Sequence, residues 1–192
     1  MRSQMHMQLG LCALLVLLMV ATRYNHFGTA VALPDASLAV FFLGGLLLAR
    51  SPRLVLVAFI LLLVEAAAID YYVTRFQGVS DWCMTPAYWF LIPTYASLWL
   101  GGRWFALHST KRAADLGLLA VATWLSGTTA FVISNVSFYL FSGRYAAVSA
   151  AEYAATLPQY YLPYLMGCMA YVAVAAGLYS ALRAMRKTPL TT

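Results

Sequence analysis

Residues 54–69 read LVLVAFILLLVEAAAI, sixteen residues with a single charge at Glu65. A helix that crosses a bilayer needs about 20 mostly apolar residues. The apolar stretch continues on both sides, so a span is expected over 53–73. Working outward, Ser51-Pro52 marks a short turn, and a second apolar segment precedes it at 36–50. Further segments of the same character occur at 8–23, 84–102, 113–141 and 158–184. Six such helices with short loops use up the chain. The expected fold is an all-α integral membrane protein of six transmembrane helices, with 1–192 as one membrane domain.

Composition agrees. Of the 192 residues, 63% are hydrophobic and 9% charged, against about half and a quarter in soluble domains. That excludes a water-soluble enzyme, a disordered chain and a disulfide-stapled secreted module. The net charge of +6 does not point to nucleic acid, because no Lys/Arg-rich run or stacking-aromatic module accompanies it. The first segment has the length of a signal-peptide core. Met19-Val20-Ala21 lacks the small residue expected three positions before a cleavage point, so the segment is read as a span.

Basic residues fix the expected orientation. With the N-terminus in the cytoplasm, Arg2, Arg50, Arg53, Arg103, Lys111, Arg112, Arg183, Arg186 and Lys187 fall inside. Only Arg23, Arg75 and Arg144 fall outside. Basic residues concentrate in cytoplasmic loops, so both termini are expected there. Asp35 is expected to cap the second helix and Asp115 to sit in the first turn of the fifth. Pro158 and Pro163 suggest a broken or re-entrant outer turn before the sixth helix.

On this topology ten of the thirteen tyrosines face outward, mixed with Asn, His, Asp and Arg. An aromatic belt would decorate both interfaces. The asymmetry suggests the lining of an outward-facing cavity for a large, flat, partly polar ligand. Within it, Asp81-Trp82-Cys83-Met84-Thr85-Pro86 carries the most informative residue. Cys12 and Cys168 lie in apolar helices, where a small thiol is ordinary packing. Cys83 has polar neighbours; it is either an inert loop residue or a soft metal ligand and nucleophile. Asp81 would raise its pKa, whereas a bound metal would drive deprotonation. His26 is a second candidate ligand or donor. Glu65 is an intramembrane carboxylate, and Asp70 lies nearer the mouth. Walker A, HExxH and Gly-x-Ser-x-Gly motifs are absent, so the chain carries no ATPase of that type.

Three stretches carry a family resemblance. They are His26-Phe27-Gly28 through Leu33-Pro34-Asp35 into Phe41-Phe42-Leu43-Gly44-Gly45; Asp81 to Pro86; and Ser134-Asn135-Val136-Ser137-Phe138-Tyr139 with Ser142-Gly143-Arg144-Tyr145. The chain resembles the BtuM-like, cobalamin-specific S-components of energy-coupling factor (ECF) transporters. The resemblance implies an S-component-like bundle in the bacterial cytoplasmic membrane. It implies uptake of cobalamin as the transported substrate, with Cys83 as the cobalt ligand. It also implies a separate ECF module of one transmembrane coupling protein and two ATPases. The residues expected to contact the corrinoid are Asn25, His26, Phe27, Asp70, Tyr72, Trp82, Met84, Tyr88, Asn135, Tyr139 and Arg144. Thiolate-driven removal of an upper ligand such as cyanide is a further expectation. The docking motif Ala-x-x-x-Ala common in these subunits is missing, since Leu17 follows Ala13 and Asn25 follows Ala21 at that spacing. Two other readings stay open: a permease for another vitamin or a metal ion, and a cysteine-dependent membrane enzyme.

Overall fold

In the computed structural model, residues 2–25, 34–110 and 115–185 are described. They form seven α-helices: α1 (Arg2–Asn25), α2 (Ser37–Leu47), α3 (Pro52–Phe76), α4 (Leu91–His108), α5 (Asp115–Phe141), α6 (Ala150–Thr156) and α7 (Pro158–Met185). A 3-10 turn, Pro86–Phe90, leads into α4. The described residues contain no strand. Four helices are long and apolar enough to cross a membrane: Met5–Tyr24, Leu54–Phe76, α5 and α7.

The other two expected spans differ in form. The segment 36–50 folds as the eleven-residue α2. At 1.5 Å per residue it is about 16 Å long, roughly half of a hydrocarbon core. The segment 84–102 begins as the 3-10 turn and continues as helix to His108. Pro86 starts that turn because its fixed φ suits a first helical position and its missing N–H is not needed there.

α2 is the most enclosed element. Val40, Phe41 and Phe42 have no exposed surface. The Phe41 ring stacks on Tyr95 of α4 at 4.0 Å between centroids and meets Phe59 of α3 edge-on. The α2 and α4 backbones touch directly. A Cβ on Gly45 would collide with the Trp99 carbonyl, and one on Gly102 with the Phe42 carbonyl. Glycine is required at both contacts, as where two helix axes approach most closely.

Helix ends follow local chemistry. The α2 cap position is Ala36 rather than the expected Asp35, which lies one residue earlier; its Oδ1 accepts the Ser37 backbone N–H at 2.9 Å and the Ser37 hydroxyl at 2.6 Å, a local turn that leads into the helix. Asp115 stands in the first turn of α5 and accepts from the Ser109 and Thr110 hydroxyls. Ser149 and Glu152 form a reciprocal capping box on α6.

The break expected around Pro158 and Pro163 is only partly present. The interruption is a single turn at Leu157, between α6 and α7. Pro158 takes the first position of α7, and Pro163 lies inside an uninterrupted helix. Pro163, the sixth residue of α7, forfeits the bond that an N–H there would make to the Gln159 carbonyl, and the helix continues past it.

The helices alternate in direction, so the end of α1, the start of α2, the end of α3, the start of α4, the end of α5 and the start of α7 share one end of the bundle. That end is stepped. Pro34, just before α2, packs on Gly167 of α7, and Tyr171 donates to the Pro34 carbonyl at 2.8 Å. Gly167 is nine residues into α7, so about 14 Å of that helix rises above the start of α2. α3 likewise continues about 9 Å beyond Asp70. Long helices therefore wall a floor set by the entry to α2.

Candidate functional site

The floor is organised by Arg23, which is 7% exposed. Its Nε donates to Asp70 Oδ1 at 2.7 Å and its Nη2 to Asp70 Oδ2 at 2.5 Å, a bidentate pair. Its Nη1 faces Ser37 Oγ at 2.9 Å, Tyr95 Oη at 3.0 Å and Asp35 Oδ2 at 3.3 Å. The Tyr88 hydroxyl donates to Asp70 Oδ2 at 2.8 Å. One guanidinium thus ties α1, α2, α3 and α4, and through Asp70 the 3-10 turn. The arrangement follows from cost: a charge removed from water must be paired and hydrogen-bonded.

Two expected ligand residues thus have partners inside the protein: Asp70 accepts from Arg23 at both oxygens and from Tyr88 at one. Tyr88 spends its hydroxyl proton in the same place. Arg23, Asp35, Ser37 and Tyr95 are central to the end of the bundle, yet sequence reasoning gave Arg23 only a topological role.

Above the floor lies the Asp81–Thr85 turn, closed by Met84 N–H to the Asp81 carbonyl at 2.8 Å and Thr85 N–H to the Cys83 carbonyl at 2.9 Å. Cys83 is exposed and unpaired with another cysteine. Partial desolvation pushes its thiol up, and the Asp70 carboxylate pushes the same way, while Arg144 and Arg23 oppose. The balance disfavours the thiolate of the unliganded residue. Trp82 and Met84 are exposed beside it. The Arg144 guanidinium stands 4.4 Å above the Trp82 ring, so the structure joins two candidates that lie 62 residues apart. Thr85 Oγ1 is buried with no hydrogen-bond partner.

The remaining candidates are more dispersed. Tyr72 is exposed at the end of α3, tilted against Tyr24 and Phe76. Asn135 uses its amide within the protein, donating to the Phe131 carbonyl and accepting from the Tyr153 hydroxyl. Tyr139 bonds the Val148 carbonyl and packs with Tyr145 and Tyr153 in a cluster with centroids 4.6–6.3 Å apart. The rings touch one another, so they form a wall rather than an empty cage. Asn25 ends α1, and its side chain is outside the described region; His26 and Phe27 lie outside the described residues.

Two clefts open elsewhere, on the sides of the bundle. One of about 320 Å³ runs between α5 and α7 past Thr123, Ala173 and Gly177. One of about 250 Å³ lies between α4 and α5 past Gly101 and Ser126. Neither is lined by Cys83 or its neighbours. Among the described residues no three His, Cys, Asp or Glu side chains are grouped to hold a metal ion. Compared with protein-family models and with curated proteins, the chain gives no match, and its functional reading rests on its own residues.

Proposed function

We propose that the chain is the substrate-binding membrane subunit of a cobalamin uptake system in the bacterial cytoplasmic membrane. α2 and the turn–α4 unit complete a six-pass bundle with both termini inside, and the stepped end faces outward as the cavity. The observation that carries this reading is the exposed Cys83 thiol above a walled floor, flanked by Trp82, Met84 and Arg144. A corrinoid suits it. Its cobalt is a soft acceptor already ringed by four nitrogens, so one protein thiolate suffices and no three-residue metal site is needed. The flat macrocycle stacks on aromatic rings, and Arg144 reaches its peripheral amides.

Binding at cobalt drives the deprotonation that the unliganded site disfavours. On ligation the S–H proton leaves and the sulfur pair forms the Co–S bond. With cyanocobalamin, cyanide departs with the Co–C pair and takes up the proton. Cobalt remains Co(III), so the exchange needs no reductant. Energy for release inward comes from a separate ECF module of a coupling protein and two ATPases.

The test is to purify the full chain from cells supplied with cobalamin and quantify bound corrinoid by absorbance and mass spectrometry. About one corrinoid per chain is expected. A colourless protein would set cobalamin aside in favour of another vitamin or a metal ion.

A further inference from the structure

The Asp81–Thr85 turn is short of anchors for a segment that must present one atom accurately. Its own hydrogen bonds are local, each spanning two or three residues. Among the described residues, two polar ties join the stretch from Asp81 to Tyr88 to other elements. Arg144 over Trp82 is solvent-exposed at both partners. The other is partly buried and charge-assisted: Tyr88 Oη to Asp70 Oδ2 at 2.8 Å, with Asp70 clamped by the buried two-point fork of Arg23. Tyr88 connects back to the turn by donating its backbone N–H to the Thr85 carbonyl at 2.8 Å, and Thr85 donates to the Cys83 carbonyl at 2.9 Å.

We propose that Arg23 is a positioning residue for Cys83. Through Asp70 and Tyr88 it pins the 3-10 turn to the end of α3, and the turn's hydrogen bonds carry that constraint to the Cys83 backbone. Arg23 is suited to this by its planar fork, which holds Asp70 at two points while Nη1 is fixed by Ser37, Tyr95 and Asp35. Lysine supplies the charge without the fork. The Arg23–Asp70 pair is buried and the Tyr88 bond partly so, so this tie is screened less by salt than the exposed Arg144 contact. The positioning claim concerns the turn itself; its consequence for cobalt rests on the cobalamin reading above.

The test separates the two. A nitroxide is attached to Cys83 in the full chain carrying Cys12→Ala and Cys168→Ala, and its mobility is read by electron paramagnetic resonance without cobalamin. Tyr88→Phe cuts the relay while leaving the ion pair, and Arg23→Lys keeps the charge. In the parent the immobilised component dominates. In both variants the ratio of immobilised to mobile label falls about tenfold, the value of one hydrogen bond to a charged group. An unchanged ratio in either variant, or a freely mobile label in the parent, would overturn the proposal. Unlabelled parent and Tyr88→Phe are then given hydroxocobalamin, and the thiolate–cobalt absorption is expected to weaken about tenfold in the variant at limiting corrinoid. A parent without that absorption removes the cobalamin reading alone, because the label ratio still decides the role of Arg23.

Discussion

The Arg23 cluster and the Cys83 turn lie at the same end of the bundle and solve opposite problems. Arg23 is buried, and each of its three nitrogens has a partner in another part of the chain. Cys83 is exposed, with a thiol that has no fixed partner and a turn held mainly by local bonds. The first cannot exchange partners without stranding a charge. The second is free to take a ligand from outside. Rigidity and exchangeable chemistry are thus assigned to different residues, joined by Asp70 and Tyr88.

The largest expected effect comes from breaking the rigid half. Arg23→Met leaves Asp70 without a counter-charge, and should cost about 3–5 kcal/mol in detergent unfolding experiments. The double variant Arg23→Met/Asp70→Met removes both charges and should recover most of that loss. No recovery would mean that the cluster acts through packing rather than charge. Next is the floor on which the cluster rests. Gly102→Ala drives a methyl into the Phe42 carbonyl and should lower stability by about 1–3 kcal/mol, read as a fall in unfolding temperature. A neutral result would show that α2 and α4 separate freely, and the floor would not be rigid. The smallest effect has the opposite sign. Both Glu65 carboxyl oxygens are buried without a hydrogen-bond partner. Glu65→Leu should raise stability by about 1 kcal/mol. A loss instead would place Glu65 in the working machinery beside Arg23.

Hydropathy made the long helices legible. The segments 53–73, 113–141 and 158–184 fall within a few residues of α3, α5 and α7. α2 was legible as an apolar segment, and its end was placed three residues late: the apolar run reaches Ala49, but the chain turns over Leu48–Arg50 to reach Ser51 and Pro52. The role of Asp35 at the start of α2 was readable to within one residue, because its contact with Ser37 spans two positions, although the cap itself is Ala36. The Arg23 cluster was not, since its partners lie 12, 14, 47 and 72 residues away and no local pattern links them. The same distance hid the engagement of Asp70, which in sequence is simply an acidic residue near a helix end. Cys83 was readable because its distinction is local: a thiol among polar neighbours, outside an apolar helix.

The central claim is that Cys83 Sγ bonds cobalt. The most direct measurement is X-ray absorption at the cobalt edge for corrinoid bound to the full chain, beside the Cys83→Ala variant. The account predicts one sulfur in the cobalt coordination shell of the parent and only nitrogen, oxygen or carbon in the variant. A parent whose bound cobalt has no sulfur neighbour, or a variant with the same coordination shell as the parent, would contradict it.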